Sequence, residues 1–195
     1  MSDSQELLLQ MRGIHKRFPG VHAIKGIDMD LYEGEVLALM GENGAGKSTL
    51  IKMLGGAHQP TEGTIELKGK EITIENPQVS QDLGIGIIYQ EFNLVPGLTA
   101  ADNIFLGQEK TRAGFIRRGE ERRRAKELFE RLEIDINPDA LCRDLTVAQQ
   151  QIVEIAKALA LDARILVMDE PSAALTTREV DRLYAVIREL KAQGI

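Results

Sequence analysis

The run Met40-Gly41-Glu42-Asn43-Gly44-Ala45-Gly46-Lys47-Ser48-Thr49 constrains this chain more than any other stretch. It satisfies the pattern G-x-x-x-x-G-K-[ST], with Gly41, Gly46, Lys47 and Ser48 at the fixed places. The residue types follow from the charge they must handle. Polyphosphate packs several negative charges into a small volume. Glycines let the backbone curl so that successive N–H groups point inward. A helix beginning near Lys47 adds its positive dipole end. Lysine at this place reaches β- and γ-phosphates, and the Ser48 hydroxyl is suited to ligate Mg²⁺. The flanks agree with this reading. Residues 35–40, Glu-Val-Leu-Ala-Leu-Met, read as a buried strand, and residues 48–54 read as a helix. The expected fold is therefore α/β with a phosphate-loop core.

Size and charge narrow the classes. The chain of 195 residues is long enough for one domain with a sizeable core. A net charge of −6 gives no global signal for nucleic acid or anionic lipid. A single cysteine, Cys142, excludes an internal disulfide and reads as a buried or half-buried thiol. The first residues, Met1-Ser2-Asp3-Ser4-Gln5-Glu6, are polar and acidic and do not resemble a secretion signal. No apolar run approaches the roughly 20 residues that span a bilayer. A cytoplasmic protein is expected.

Along the chain, residues 7–14 read as a strand, Phe18-Pro19-Gly20 as a turn, and residues 23–31 as a half-buried strand. Three strands before the first helix predict an antiparallel sheet beside the nucleotide core. Phe18 has two readings: turn packing, or an aromatic face for a nucleobase. Gly55-Gly56 closes the loop helix. Residues 64–74 predict a hairpin, and Asn76-Pro77 opens a short helix. Residues 85–89 read as a buried parallel strand ending in Gln90-Glu91, a polar pair where open α/β sheets hold ligands. Residues 99–106 and 118–132 read as helices, the second with Ala125, Leu128, Phe129 and Leu132 on one face. Its basic cluster (Arg117, Arg118, Arg122, Arg123 and Arg124) is interleaved with acids and reads as a solvated face rather than a nucleic-acid patch. Residues 148–160 form another expected helix, and residues 164–170 a buried strand ending in Asp169-Glu170. Thr176 and Glu179 form a capping pair for a last helix that Gly194 ends.

Two carboxylates closing a strand are unremarkable by themselves. Beside a phosphate loop they acquire roles. Asp169 would hold Mg²⁺ opposite Ser48, and Glu170 would polarise the water that attacks the γ-phosphate. Gln90 would complete the metal or water shell.

These residues together resemble the nucleotide-binding domain of ATP-binding cassette (ABC) transporters. The order Phe18, phosphate loop, Gln90, Leu145-Thr146-Val147-Ala148-Gln149, then Asp169-Glu170-Pro171-Ser172 matches the family from about residue 7 onward. The resemblance implies ATP and Mg²⁺ as cofactors. It implies that residues 145–149 cap ATP held by a partner domain's phosphate loop. The usual signature there is Leu-Ser-Gly-Gly-Gln. Thr146 keeps a hydroxyl, while Ala148 adds a methyl where backbone is expected close to phosphate. The spellings of residues 147–159 and 169–176 resemble the monosaccharide-import branch, which carries two such domains in tandem. The implied function is an ATPase that powers monosaccharide import from the cytoplasmic face of the membrane. The implied partners are a second nucleotide-binding domain, transmembrane permease subunits and, indirectly, an extracytoplasmic sugar-binding protein. No nucleic acid is expected.

The resemblance divides the chain into an antiparallel β subdomain (about 1–35 and 60–75), a phosphate-loop core (about 36–59, 76–92 and 152–195) and a helical insertion with the signature (about 93–151). It also implies one further buried strand after the last helix, closing with a histidine at the γ-phosphate. His15, His22 and His58 lie too early to serve, so the expectation is a partial domain that hydrolyses ATP weakly or not at all. The apolar residues Phe92, Leu94, Val95, Pro96, Leu98 and Phe105 offer a surface for a membrane partner or pack locally. A soluble ABC ATPase of translation or DNA repair would show basic extensions or long coiled coils, which are lacking. A GTPase or small-molecule kinase is disfavoured because no Asn-Lys-x-Asp guanine reader is present.

Overall fold

The computed structural model describes residues 6–42, 44–108, 111–112, 115–116, 118–173 and 175–195. Asn43 of the loop, Arg117 of the basic cluster and the five N-terminal residues lie outside that set.

Strands β1 (Leu7–Phe18) and β2 (Val21–Tyr32) form a long antiparallel hairpin with Phe18 opposite Val21 and Leu7 opposite Tyr32. Arg12 crosses the hairpin to hold both oxygens of Asp30, at 2.6 and 2.8 Å. Helix α1 (Lys47–Leu54) follows the phosphate loop and ends at Gly55. Strand β3 (Glu62–Leu67) pairs with the other edge of β1, and β4 (Lys70–Ile72) completes a four-stranded antiparallel sheet ordered β2-β1-β3-β4. Alternation places Leu9, Met11, Ile14, Ile24 and Ile65 on one face. They pack with Leu50, Met53 and Leu54 of α1 into one core. Gly56 must be glycine: its φ is 73°, and a Cβ there would meet the Asn76 backbone at 2.3 Å.

Helix α2 (Pro77–Asp82) starts as its sequence predicts, with the Asn76 side chain accepting from the Val79 N–H at 3.1 Å. Strand β5 (Ile85–Ile88) leads to α3 (Ala100–Phe105), capped by Thr99, then to the two-residue strands β6 (Thr111–Arg112) and β7 (Phe115–Ile116). Helices α4 (Arg118–Arg131) and α5 (Val147–Ala160), strand β8 (Ile165–Met168) and helix α6 (Thr177–Ala192) complete the described elements. Helices α3 to α6 share a second core with Ile88, built on Phe105, Phe129, Val153, Ile155, Leu183 and Val186. The basic face of α4 is ion-paired in place: Arg122 with Asp139 at 2.5 Å and Arg123 with Glu127 at 3.6 Å. Arg124 lies over the Phe105 ring at 4.6 Å. Cys142 is buried and accepts from Asn103 Nδ2 at 3.1 Å; burial pushes its thiol pKa up.

One expectation fails. Residues 35–40 lie outside every strand, and Val36, Leu37, Leu39 and Met40 are 57, 40, 38 and 91% exposed. The run has the composition of a buried parallel strand but lacks a neighbour. β5 and β8 form a two-stranded parallel sheet, and among the described residues no strand pairs with the far edge of β8. A cleft of about 440 Å³ separates that edge from residues 35–39. A strand's backbone hydrogen bonds belong to its neighbours, so without one the run cannot count as a strand or bury its side chains. The expected three-strand sheet before the first helix is corrected accordingly: β1 pairs with β2 on one side and β3 on the other, β4 extends the sheet, and residues 35–40 take no part in it.

Candidate nucleotide site

The phosphate loop closes on itself at Gly46. This residue has φ 91° and is the N-cap of α1, and a Cβ there would meet the Ala23 carbonyl oxygen at 2.7 Å. Both conformation and space demand glycine. Gly44, with φ 86°, provides a second left-handed turn, and the Ala45 N–H donates to the Glu42 carbonyl at 3.1 Å. Lys47, the first helical residue, folds its ammonium back to donate to the Gly41 and Glu42 carbonyls at 2.6 and 3.0 Å. The start of α1 has no side-chain cap and no acidic residue in its first turn. Its N–H groups and dipole are therefore available to an anion. Ser48 is exposed in that turn, and Thr49 is half-buried behind it.

Opposite the loop, β8 delivers Asp169 and Glu170. The Asp169 N–H continues the parallel ladder by donating to the Ile88 carbonyl at 2.9 Å. Glu170 then turns the chain with φ 48°, a left-handed conformation uncommon outside glycine, and is exposed. Lys47, Asp169 and Glu170 line the same cleft. Gln90 is exposed two residues beyond β5, and Glu170 stands two residues beyond β8. Because Ile88 is in register with Met168, Gln90 lies at the same carboxyl end of the parallel pair.

The other predicted residues stand apart from that cleft. Leu145 precedes α5, and Thr146 caps it. The Thr146 hydroxyl accepts from the Gln149 N–H at 3.2 Å, and the Gln149 side chain accepts from the Thr146 N–H at 3.0 Å. Val147 is 37% exposed, and Ala148 is half-buried in the first turn. Phe18, at the tip of β1, is half-buried. Its ring meets His58 edge-on at 5.2 Å and carries the Lys16 ammonium at 5.1 Å, contacts that fit its turn-packing reading. Of the apolar segment after Gln90, Phe105 is buried and Leu94 packs on the helical core, while Val95 remains 42% exposed.

Sequence reasoning missed two polar residues that organise this segment. Asn103 is fully buried; its Oδ1 accepts from the Val95 N–H at 2.7 Å, and its Nδ2 donates to the Val95 carbonyl at 3.0 Å. Glu154, on α5, is 7% exposed and accepts from the Asn93 N–H at 2.8 Å. Burial pushes the Glu154 carboxyl pKa up, while Lys157 and the Asn93 N–H oppose that shift. The signal available was that apolar residues flank Glu154 on both sides, so that α5 is buried around most of its circumference.

Comparison with known proteins agrees with this geometry. Residues 24–173 match the family model described as ABC transporter. Over 195 residues the chain is 53% identical to the ribose import ATP-binding protein RbsA 1 of Streptomyces avermitilis, covering 100% of the chain and 37% of that protein. Over 188 residues it is 55% identical to RbsA 1 of Rubrobacter xylanophilus, covering 96% of the chain and 38% of that protein. The chain thus spans less than two fifths of these relatives. Among solved structures, the ADP conformation of MJ1267, an ATP-binding cassette of an ABC transporter, superposes with a TM-score of 0.86 at 27% identity, over 97% of this chain and 78% of that one. The dimeric structure of MJ0796, a bacterial ABC transporter cassette, gives 0.77 at 27% identity, over 95% and 84%. With a glycine-locked phosphate loop facing a strand that ends in two carboxylates, and a family match over most of its length, the chain belongs to the ABC transporter family.

Proposed function

We propose that this chain is the ATP-binding part of a subunit that hydrolyses ATP to drive monosaccharide import, ribose being the first sugar to test. The observation that carries the reading is that Lys47, Asp169 and Glu170 line one cleft. The 53 and 55% identity to ribose import ATP-binding proteins supports the sugar class. In this reading Gly41, Glu42, Asn43, Gly44, Ala45, Gly46, Lys47, Ser48 and Thr49 cradle the triphosphate through backbone N–H groups and the Lys47 ammonium. Phe18, whose ring packs edge-on against His58, would in its other reading offer an aromatic face to the base. Glu170 accepts a proton from the attacking water, and Gln90 orients that water.

The residues present fit Mg²⁺ by donor chemistry: the exposed Ser48 hydroxyl follows Lys47 at the start of α1, and the Asp169 carboxylate lines the cleft with Lys47. Ser48, Asp169 and Gln90 would hold the ion, which would supply charge neutralisation between the β- and γ-phosphates. Leu145, Thr146, Val147, Ala148 and Gln149 would face the nucleotide of a second, head-to-tail nucleotide-binding domain. The subunit would work at the cytoplasmic face of the membrane, against permease subunits that receive sugar from an extracytoplasmic binding protein. No helix among the described residues is long and apolar enough to cross a membrane. The apolar length of the cleft, between β8 and residues 35–39, would receive the additional strand that the family resemblance places after α6, leaving the end with Lys47, Asp169 and Glu170 to the nucleotide.

Vesicles carrying the intact protein with its permease and binding protein test the function. ATP-dependent uptake of labelled ribose that unlabelled ribose competes away is the expected result. Uptake without dependence on ATP, or ATP hydrolysis stimulated by RNA or DNA and not by sugar, would contradict it.

A further inference from the structure

Helix α5 carries residues 145–149 at its start and two charged residues further along. Glu154 and Lys157 are three apart and so lie on one face. Glu154 Oε1 accepts from the Asn93 N–H at 2.8 Å, and Lys157 Nζ donates to the Asn93 carbonyl at 3.4 Å. The backbone of Asn93 is thus held at both its polar groups by one helix. Two residues on, Asn103 holds both polar groups of Val95. Between them, Leu94 packs on the helical core. Asn93 itself lies only three residues beyond Gln90.

A bland role is available to Glu154, which is to satisfy one loop N–H. That role would not require the second hold by Lys157. It would be served as well by a neutral acceptor, without the cost of burying a carboxylate. We propose that Glu154, assisted by Lys157, is a positioning residue that ties the segment after Gln90 to α5. A displacement of α5 by an opposing nucleotide-bound domain then carries residues 91–95 with it. This rests on the ATPase reading above, and it supplies a physical link between residues 145–149 and the exposed surface around Val95.

Hydrogen exchange on the intact protein, with and without MgATP, tests the link alongside steady-state ATPase kinetics. In the wild type, residues 91–95 and 145–149 should change protection together when MgATP is added. In Glu154→Ala the response of 145–149 should persist, while that of 91–95 falls by about tenfold. The same variant should lose about tenfold in kcat with KM for ATP within about twofold, a size typical of site-to-site coupling. Glu154→Gln, which keeps an acceptor oxygen for the Asn93 N–H but not the charge beside Lys157, should restore only part of both. Lys157→Met, at a half-buried position, should show the same uncoupling in weaker form and guards against a folding failure of Glu154→Ala. If residues 91–95 of Glu154→Ala respond as in the wild type while 145–149 also respond, the link is wrong and the ATPase reading stands. If neither segment of the wild type responds to MgATP, the ATPase reading fails and the link falls with it.

Discussion

Residues 35–40 and helix α5 are built from similar apolar side chains, yet one is open and the other sealed. Val36 is 57% exposed, whereas Val153 and Ile155 are 0% exposed. The difference lies in where the backbone finds its hydrogen bonds. A helix closes its own, so α5 can be packed on most sides by α3, α4 and α6 without a strand partner. A strand needs a neighbour, and the edge of β8 faces residues 35–39 across a cleft rather than a ladder. The open region is also where the phosphate loop, Asp169 and Glu170 meet. Among the described residues a sealed helical frame therefore stands beside an edge with an unfilled strand position, and substitutions in the two should report on different quantities.

The largest effect belongs to the open edge. Glu170→Gln in the intact protein should lower ATP hydrolysis by about 10²- to 10⁴-fold, the range for loss of a general base, while leaving thermal stability unchanged. A variant that hydrolyses ATP normally would remove Glu170 from the chemistry. The sealed frame should behave in the opposite way. Phe129, 1% exposed, should cost about 3–5 kcal/mol as Phe129→Ala in denaturant unfolding. Val36, 57% exposed but facing the cleft that the additional strand would fill, should cost about 1 kcal/mol as Val36→Ala in the intact protein. A loss within about 0.5 kcal/mol would mean that no strand covers residues 35–40 there.

Thr146 sits at the boundary, exposed yet capping the largely buried α5. Thr146→Ala should destabilise by about 1 kcal/mol, the value of an N-cap, read as a small drop in Tm. The smallest effect is in pH. Burial raises the Glu154 pKa above the ordinary 4.5, so its stabilising contribution is full below that value and is lost as pH rises through the folded pKa. The Tm of Glu154→Gln relative to the wild type should therefore climb as pH increases from about 4.5. On the exposed start of α6 the sign reverses. The Thr176 N–H and hydroxyl donate to Glu179 at 2.9 and 2.8 Å and lower its pKa. Its contribution is present above 4.5 and lost as pH falls through the folded pKa, so Glu179→Gln should lose relative stability as pH rises.

The same contrast explains what the sequence disclosed. Local chemistry was legible: Asn76-Pro77, the Thr176–Glu179 capping pair, and Gly46 before Lys47 each specify their geometry within a few residues. Periodicity was legible where an element has one wet face, as in α4 and α6. It also placed α5, although burial round most of that helix conceals the purpose of Glu154. It misled at residues 35–40, whose burial depends on a neighbour distant in the chain. The convergence of Lys47, Asp169 and Glu170 on one cleft is a non-local fact, inferable from motif order but visible only in three dimensions.

The proposed function depends most on the grip of the loop on triphosphate. Titration of MgATP into the intact protein and its Lys47→Ala variant, followed by calorimetry, measures that grip directly. Loss of a charged hydrogen-bonding group at about 1.5–3 kcal/mol predicts affinity weaker by roughly 10- to 100-fold. An unchanged affinity for MgATP would contradict the account.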